Sequence, residues 1–206
     1  MDERPKRRLW LPSPGFLVAL AALGAVAVVL LPGLLSSHRA YNERMASTQL
    51  KMLASAEADF RANDRDGNRV HDFWTADVSG LYYLTSGADG KEIRLIEVDV
   101  ADADAKPLLP RPKGSIPDEG YRYAALERDG SVAGDSGLYK RDTDQSGRKV
   151  HHESKFGFCA FPADAGSGKC VFFVNENNIV FREAGTQPRE VFPSNEELKS
   201  PGSRTR

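Results

Sequence analysis

The chain has 206 residues, with 28 Lys and Arg against 29 Asp and Glu, and a formal net charge of −1. At roughly 150 residues per domain, this length fits one domain with an additional segment. The balanced charge excludes the basic excess that marks a nucleic-acid-binding domain, so no nucleic-acid partner is expected. With 18 Gly and 12 Pro, the composition also excludes a fully disordered chain.

A long uncharged segment follows a short basic arm at the N-terminus. Residues 1–15 contain four basic and two acidic side chains, and residues 16–35 contain no charged one. A bilayer core requires about 20 helical residues, so residues 16–35 are predicted to be a transmembrane helix inserted in the lipid bilayer. The basic arm predicts a cytoplasmic leader, a single-pass protein of the inner (cytoplasmic) membrane and an exported C-terminal head. A cleaved signal peptide is the alternative, although its apolar stretch is usually only about 7–15 residues long.

The helical pattern continues beyond the uncharged segment. Pro32 is expected to kink the helix because it lacks a backbone donor. An amphipathic continuation over residues 36–63 is predicted from apolar residues at helical spacing, namely Tyr41, Met45, Met52, Ala56 and Phe60. The polar run NDRDGN from residue 63 is expected to end the helix.

The remaining chain predicts an α+β head over residues 64–194. Helices are expected over residues 72–84 and, in preference to a strand, over residues 93–105. Alternating patterns predict four strands, at residues 121–127, 156–161, 170–175 and 179–183. Residues 129–154 contain few apolar side chains and are predicted to form a long loop, with a short strand at 137–141 as an alternative reading.

Two turn and cap signals complete the head. Asn177-Asn178 predicts a tight turn because Asn tolerates positive φ. Ser194 followed three residues later by Glu197 has the spacing of a capping box, which predicts the start of a short helix. Residues 195–206 are therefore expected to form this helix and a frayed tail.

The N-terminal half resembles type IV pilins and type II secretion pseudopilins. In those proteins a basic leader ends at a Gly-Phe processing site, which Gly15 and Phe16 match. Gly24 and Pro32 are similar to a glycine and a proline common in pilin helices, whereas the pilin Glu at the fifth position after cleavage is Leu20 here. The resemblance implies a pilin-like fold, in which a long N-terminal helix, transmembrane and then amphipathic, packs on a small antiparallel sheet. It also implies a structural role without catalysis, and contacts with like subunits or other pilin-type proteins through that helix.

The C-terminal half resembles an exported bacterial domain family of unknown function. The similarity lies in GYRYAAL from residue 120 and in FGFCAFPADAGSGKCVFFVNENNIVFRE from residue 156. This resemblance implies an exported head and carries no activity with it.

The two cysteines, Cys159 and Cys170, are the only ones in the chain. Outside the cytoplasm an even pair indicates a disulfide, so a bridge between them is predicted. A redox or metal-binding pair and two free thiols are the alternatives.

A calcium-loop pattern occurs in the predicted long loop. Its positions 1, 3, 5, 6 and 12 are occupied by Asp142, Asp144, Ser146, Gly147 and Glu153. Calcium prefers six to eight oxygen ligands, which this spacing can wrap around one ion, so Asp142, Asp144, Ser146 and Glu153 are candidate ligands. A solvated polar turn is the alternative, and no cofactor other than calcium is expected.

Further polar residues are interpreted more simply. A second acidic loop contains Asp64, Asp66, Asn68 and Asp72 without the glycine placement of a calcium loop. His151 and His152 are expected to be exposed loop residues, since neighbours on a strand face opposite sides and would chelate one metal poorly. The leading hypothesis is therefore a pilin-like structural protein, and the alternative is a monomeric, membrane-anchored binding module of unknown ligand that could bind calcium.

Overall fold

A computed structural model of the protein describes residues 14–86, 90–108, 120–144, 147–199 and 204–205. Within residues 14–35, side chains are described only at positions 15, 16, 20, 23, 24 and 33. The predicted leader and most side chains of the predicted transmembrane segment thus lie outside the described residues. Within the part described, no helix combines the length and the apolar character that a membrane span requires.

In its described part the chain forms four α-helices, one 3-10 helix (Asp135–Gly137) and ten short strands. The helices are α1 (Pro14–Asn63), α2 (Gly80–Tyr83), α3 (Val98–Asp102) and α4 (Asn195–Leu198). The strands are β1 (Phe73–Trp74), β2 (Tyr121–Ala125), β3 (Arg128–Asp129), β4 (Asp142–Thr143), β5 (Lys149–His152), β6 (Gly157–Pro162), β7 (Cys170–Asn175), β8 (Phe181–Ala184), β9 (Val191–Phe192) and β10 (Arg204–Thr205). The contacts divide the chain into two units, Met1–His38 and Arg39–Arg206.

The second unit is built around a five-stranded antiparallel sheet in the order β10-β8-β7-β6-β2. The alternation of side chains along β6 and β7 gives this sheet two apolar faces. One face shares its core with α1 and carries Phe158, Ala160, Cys170, Phe172 and Val174. The opposite face carries Cys159, Phe161, Val171 and Phe173. The protein is therefore an α+β protein with antiparallel sheets, as predicted.

The buried stripe of α1 in the head agrees only in part with the predicted one, since Ala56 and Phe60 are in the core. Tyr41 and Met52 are 52% and 39% exposed, so they do not belong to the core. The residues that contact the sheet core are Ala46, Leu50, Leu53, Ala54, Ala56 and Phe60. A buried carboxylate, that of Glu57, also lies within this stripe.

A smaller antiparallel sheet, in the order β1-β5-β4, follows α1. Residues 72–84 were expected to form one helix, but they begin with β1 and form only the single turn α2. Asp77 stabilises the bend between them, since its carboxylate accepts hydrogen bonds from Trp74 Nε1 and Gly80 N, both at 2.9 Å. The predicted loop 129–154 is also wrong in part, because β4 and β5 lie within it.

Several local predictions are confirmed. Strands β2, β6, β7 and β8 lie within two residues of the predicted bounds, whereas the helix predicted over residues 93–105 is helical only at Val98–Asp102. Asn178 has φ +55°, and its N–H donates to Asn175 O at 2.9 Å, which closes the predicted turn. Ser194 and Glu197 form the predicted capping box at the start of α4. The prediction of a frayed tail is wrong at Arg204–Thr205, because these residues form β10, which pairs with β8.

Candidate functional site

An acidic cleft of about 920 Å³ lies beside the three-stranded sheet. Its lining residues come from the segment between α1 and the end of β1, from β4 and β5 with the residues beside them, and from Leu84. Five carboxylates line the cleft, those of Asp66, Asp72, Asp142, Asp144 and Glu153. The two acidic loops that the sequence presents separately are thus brought to one site.

His151 lies at the inner end of this cleft, between two carboxylates. Its Nδ1 is 3.3 Å from Asp72 Oδ1, and its Nε2 is 3.4 Å from Asp66 Oδ2. The ring packs edge-to-face on Trp74, with 5.4 Å between the ring centroids. His151 and His152 are 1% and 5% exposed, so the expectation of exposed loop histidines is wrong for both. The pairing of β5 with β1, which places Trp74 opposite His151, is what buries His151.

Two buried carboxylates near His151, those of Asp72 and Glu57, each have an oxygen without a hydrogen-bond partner among the described residues. Asp72 Oδ1 and His151 Nδ1 are at ion-pair distance, but neither atom has a hydrogen-bond partner among the described residues. Glu57 of α1 is fully buried, and its Oε2 accepts a hydrogen bond from Trp74 N at 3.0 Å. Buried polar atoms are normally hydrogen-bonded, so the unsatisfied oxygen of Asp72 marks this end of the cleft as unusual.

Burial and charge shift the pKa values of these groups. Burial raises the pKa of Glu57 well above its ordinary value, the Trp74 N–H lowers it, and the nearby Asp72 raises it further. Burial lowers the pKa of His151, but Asp72, Asp66 and Asp144 together outweigh this effect and raise it above its ordinary value. Burial also raises the pKa of Asp66, and His151 opposes that rise. The site therefore favours a protonated imidazole between carboxylates.

The candidate calcium ligands lie on a β-hairpin rather than on a loop that encircles one point. Asp142 is the register partner of His151. Asp144 forms an ion pair with Arg148. The Arg148 guanidinium is 3.0 Å from Asp144 Oδ2, and the backbone N–H of Arg148 donates to Asp144 Oδ1 at 2.8 Å. Ser146 lies outside the described residues. In the described part of the chain, no group of three or more His, Cys, Asp or Glu side chains could hold a metal ion.

The predicted disulfide is absent from the structure. Cys159 and Cys170 are both buried free thiols, and they belong to the apolar clusters on opposite faces of the five-stranded sheet. Successive residues of a strand face opposite sides of the sheet. In the observed register of β6 and β7, this alternation places the two sulfur atoms on opposite faces. Cys170 Sγ instead accepts a hydrogen bond from Arg182 Nε at 2.9 Å.

The tentative processing residues lie near the start of α1. Gly15 and Phe16 are both exposed, and the exposed fraction of Phe16 is 57%. Leu20, at the position of the pilin glutamate, is 58% exposed. Their positions are compatible with access to the Gly15–Phe16 peptide bond.

Sequence reasoning missed the residues at the inner end of the cleft. Asp72 was assigned to a solvated loop and His151 to the surface, yet both are buried. The run KVHH of β5 carried one usable signal, since a valine beside two histidines fits a strand better than a polar loop. Nothing local in the sequence indicated that this strand pairs with the segment after α1.

Comparisons with known proteins add no relative. No protein-family model matches the chain, and neither a curated protein nor a solved structure matches it.

Proposed function

We propose that this chain is a membrane-anchored, pilin- or pseudopilin-like structural protein with an exported head. In this proposal residues 1–15 are a cytoplasmic leader and residues 16–35 cross the inner membrane. The first part of α1 then contacts the lipid bilayer and like subunits or other pilin-type proteins. The role is structural rather than catalytic.

The packing of the head on α1 is the observation that carries the proposal. Residues 39–63 of α1 share one apolar core with the five-stranded antiparallel sheet. Polar contacts add to this core, since Glu43 Oε2 lies 3.2 Å from the Arg182 guanidinium of β8. An N-terminal helix whose second half packs on an antiparallel sheet is the arrangement that the pilin resemblance implies. The basic arm and the uncharged segment support the membrane anchor.

The N-terminus of the native protein tests the proposal most directly. The protein would be extracted from membranes, and its intact mass and first residue determined. Cleavage between Gly15 and Phe16, especially with methylation of the new N-terminus, is the expected result. A chain that still begins at Met1 would indicate a plain signal anchor, and one that begins just after residue 35 would indicate a cleaved signal peptide; either would contradict pilin-type processing.

The Leu20→Glu variant tests the alignment with pilins. It restores the carboxylate that pilins carry at this position, so incorporation into an assembly should not fall. Leu20→Gln is the matched control for polarity without charge. A collapse of incorporation in L20E alone would contradict the proposed register of the helix.

A second candidate is a monomeric, membrane-anchored binding module, and the acidic cleft is the observation that favours it. Calcium is its specific form, with Asp142, Asp144, Ser146 and Glu153 as ligands. Calcium at millimolar concentration would raise the melting temperature in this case, and D142N would remove the effect. No shift in the wild-type protein would exclude the calcium form.

A further inference from the structure

We infer that Glu57 is a pH-sensitive switch between α1 and the three-stranded sheet. Its neutral carboxyl group holds β1 against the helix, and its ionisation lets β1 and β5 open locally while the five-stranded sheet stays folded. The inference concerns the head alone and does not depend on processing, on membrane insertion or on assembly.

Glu57 connects the helix to the smaller sheet. It is fully buried on α1, and its Oε2 accepts a hydrogen bond from the backbone N–H of Trp74 in β1 at 3.0 Å. The next residue along the chain, Thr75, donates its N–H to Val150 O of β5 at 2.8 Å. A change at the Glu57 carboxyl group therefore acts directly on the segment that pairs with β5.

The hydrogen bonding of Glu57 suits a neutral carboxyl group better than a carboxylate. Its Oε1 is buried and has no hydrogen-bond partner among the described residues. An ionised carboxylate has two oxygens that each accept more than one hydrogen bond. Burial of the ionised form with so few donors is strongly unfavourable, because the water it loses is not replaced.

Two other buried carboxyl groups of the head show what Glu57 lacks. Asp77 and Asp104 are each 1% exposed, close to the 0% of Glu57. Within the described part of the chain, Asp77 accepts four hydrogen bonds and Asp104 accepts three. Glu57 accepts its hydrogen bond from Trp74 alone in the same part of the chain. Burial is thus similar at the three positions, and the supply of donors differs.

The charged groups near Glu57 do not compensate its ionisation. Asp72, just before β1, is a second buried carboxyl group. The nearby base, His151 of β5, lies 3.3 Å from Asp72 and 3.4 Å from Asp66, so two carboxylates already share it. On α1 itself, the Arg61 Nε donates to a backbone carbonyl oxygen, that of residue 71, at 3.2 Å. Glu57 has no ion pair with any cation of the described residues.

The direction of the pH effect follows from these contacts. Burial raises the pKa of Glu57 most, the Trp74 N–H lowers it, and Asp72 raises it further. The contact between α1 and β1 is therefore most stable below the ordinary pKa of 4.5 and weakens as the pH rises through the folded value. Because opening is linked to the loss of one proton, its equilibrium constant should rise by up to about tenfold per pH unit above the folded pKa.

The lengths of the strands favour a local opening over global unfolding. Strands β1 and β4 have two residues each and β5 has four, whereas β6 and β7 have six each. Proteins open in cooperative units, and the units with fewer buried contacts and backbone hydrogen bonds open first. The smaller sheet is the unit that Glu57 contacts and the one with the shorter strands.

Hydrogen exchange of the full-length protein in mild detergent tests the inference. Mass spectrometry would follow exchange over a series of pH values, with correction for the intrinsic exchange rate at each pH. Residues 73–75 and 149–152 should lose protection by up to about tenfold per pH unit above the folded pKa. The amides of β6 and β7 should keep their protection over the same range.

The Glu57→Gln variant separates Glu57 from the other titrating groups. It keeps an acceptor for the Trp74 N–H and cannot ionise, so β1 and β5 should lose most of the pH dependence of their protection. His151 still titrates in this variant. Glu97→Gln, at an exposed carboxyl group, is the matched control and should behave as the wild type. If E57Q does not fold, as its melting curve would show, E57L provides the same test.

Three results would overturn the inference. The first is protection of β1 and β5 that does not change with pH in the wild-type protein. The second is an equal pH dependence in E57Q and the wild type, which would assign the effect to His151. The third is a parallel loss of protection in β6 and β7, which would indicate global unfolding. None of these measurements reads the N-terminus, so the inference and the proposed pilin-like role can fail separately.

Discussion

The five-stranded sheet and the three-stranded sheet of the head are stabilised in different ways. In the larger sheet, strands β6 and β7 have apolar side chains buried on both faces. In the smaller sheet, strands of two to four residues hold buried charged groups, with His151 in β5 and Asp72 just before β1. The smaller sheet contributes Phe73, Trp74 and Val150 to the same apolar core, and in addition it holds paired charges that are incompletely hydrogen-bonded.

The largest effect is expected in the core of the five-stranded sheet. Phe172 is 1% exposed, and its ring lies 6.0 Å from the Tyr121 ring. Phe172→Ala should lower the free energy of unfolding by about 4 kcal/mol, through lost transfer energy and the cavity left behind. Chemical denaturation would measure it, with the exposed Val98→Ala as control, for which a change within about 0.5 kcal/mol is expected. Equal effects of the two substitutions would contradict the assigned core.

The next effect concerns the charge pairing of the smaller sheet. His151→Phe keeps a ring against Trp74 but leaves Asp72 as an uncompensated buried charge. We expect a loss of about 3 kcal/mol in the free energy of unfolding. Adding Asp72→Asn removes that charge and should recover part of the loss, which a double-mutant cycle measures as coupling. Strictly additive effects would mean that the two side chains do not interact.

A smaller, pH-dependent effect is expected at Glu57. Because its pKa is raised in the folded state, the folded protein holds the proton more readily than the unfolded chain. The associated stability is fully present below the ordinary pKa of 4.5 and is lost as the pH rises through the folded value. Glu57→Gln keeps an acceptor for the Trp74 N–H and cannot ionise.

The Glu57→Gln variant should therefore differ from the wild type only above acidic pH. At neutral to alkaline pH we expect it to be more stable by about 1–2 kcal/mol, since a buried charge with an unsatisfied oxygen is removed. Denaturation curves across the pH range would measure the difference, and Glu97→Gln, at an exposed site, is the control. A difference that persists unchanged at acidic pH would point to packing rather than ionisation.

The smallest effect is expected from reducing agents on the five-stranded sheet. Cys159 and Cys170 are on opposite faces, so a reductant should not change the melting temperature. After denaturation without a reductant, both thiols should react with an alkylating agent, which mass spectrometry would count. In the folded protein Cys159 should react slowly, because burial raises its pKa to about 12. A chain that takes up no label would establish the bridge instead.

The extent of successful prediction also differs between the two sheets. Strands β6 and β7 could be predicted because their apolar content and the alternation of their side chains can be read from consecutive residues. The cleft was predictable only as two unrelated acidic loops. Asp72 and His151 meet through the pairing of β1 with β5, and no short pattern in either segment encodes that pairing. The buried stripe of α1 was predicted only in part, at Ala56 and Phe60, because the segments that pack on the helix are distant in sequence.

Features that depend on neighbouring residues could be predicted without the structure. These are the central strands, the Asn177-Asn178 turn, the Ser194 cap and the end of α1 at Asn63. The face that each cysteine occupies, the loops that share the cleft and the burial of charged groups became known from the fold. The physical reason is that propensities, caps and alternation act over a few residues, whereas strand register and burial depend on segments distant along the chain.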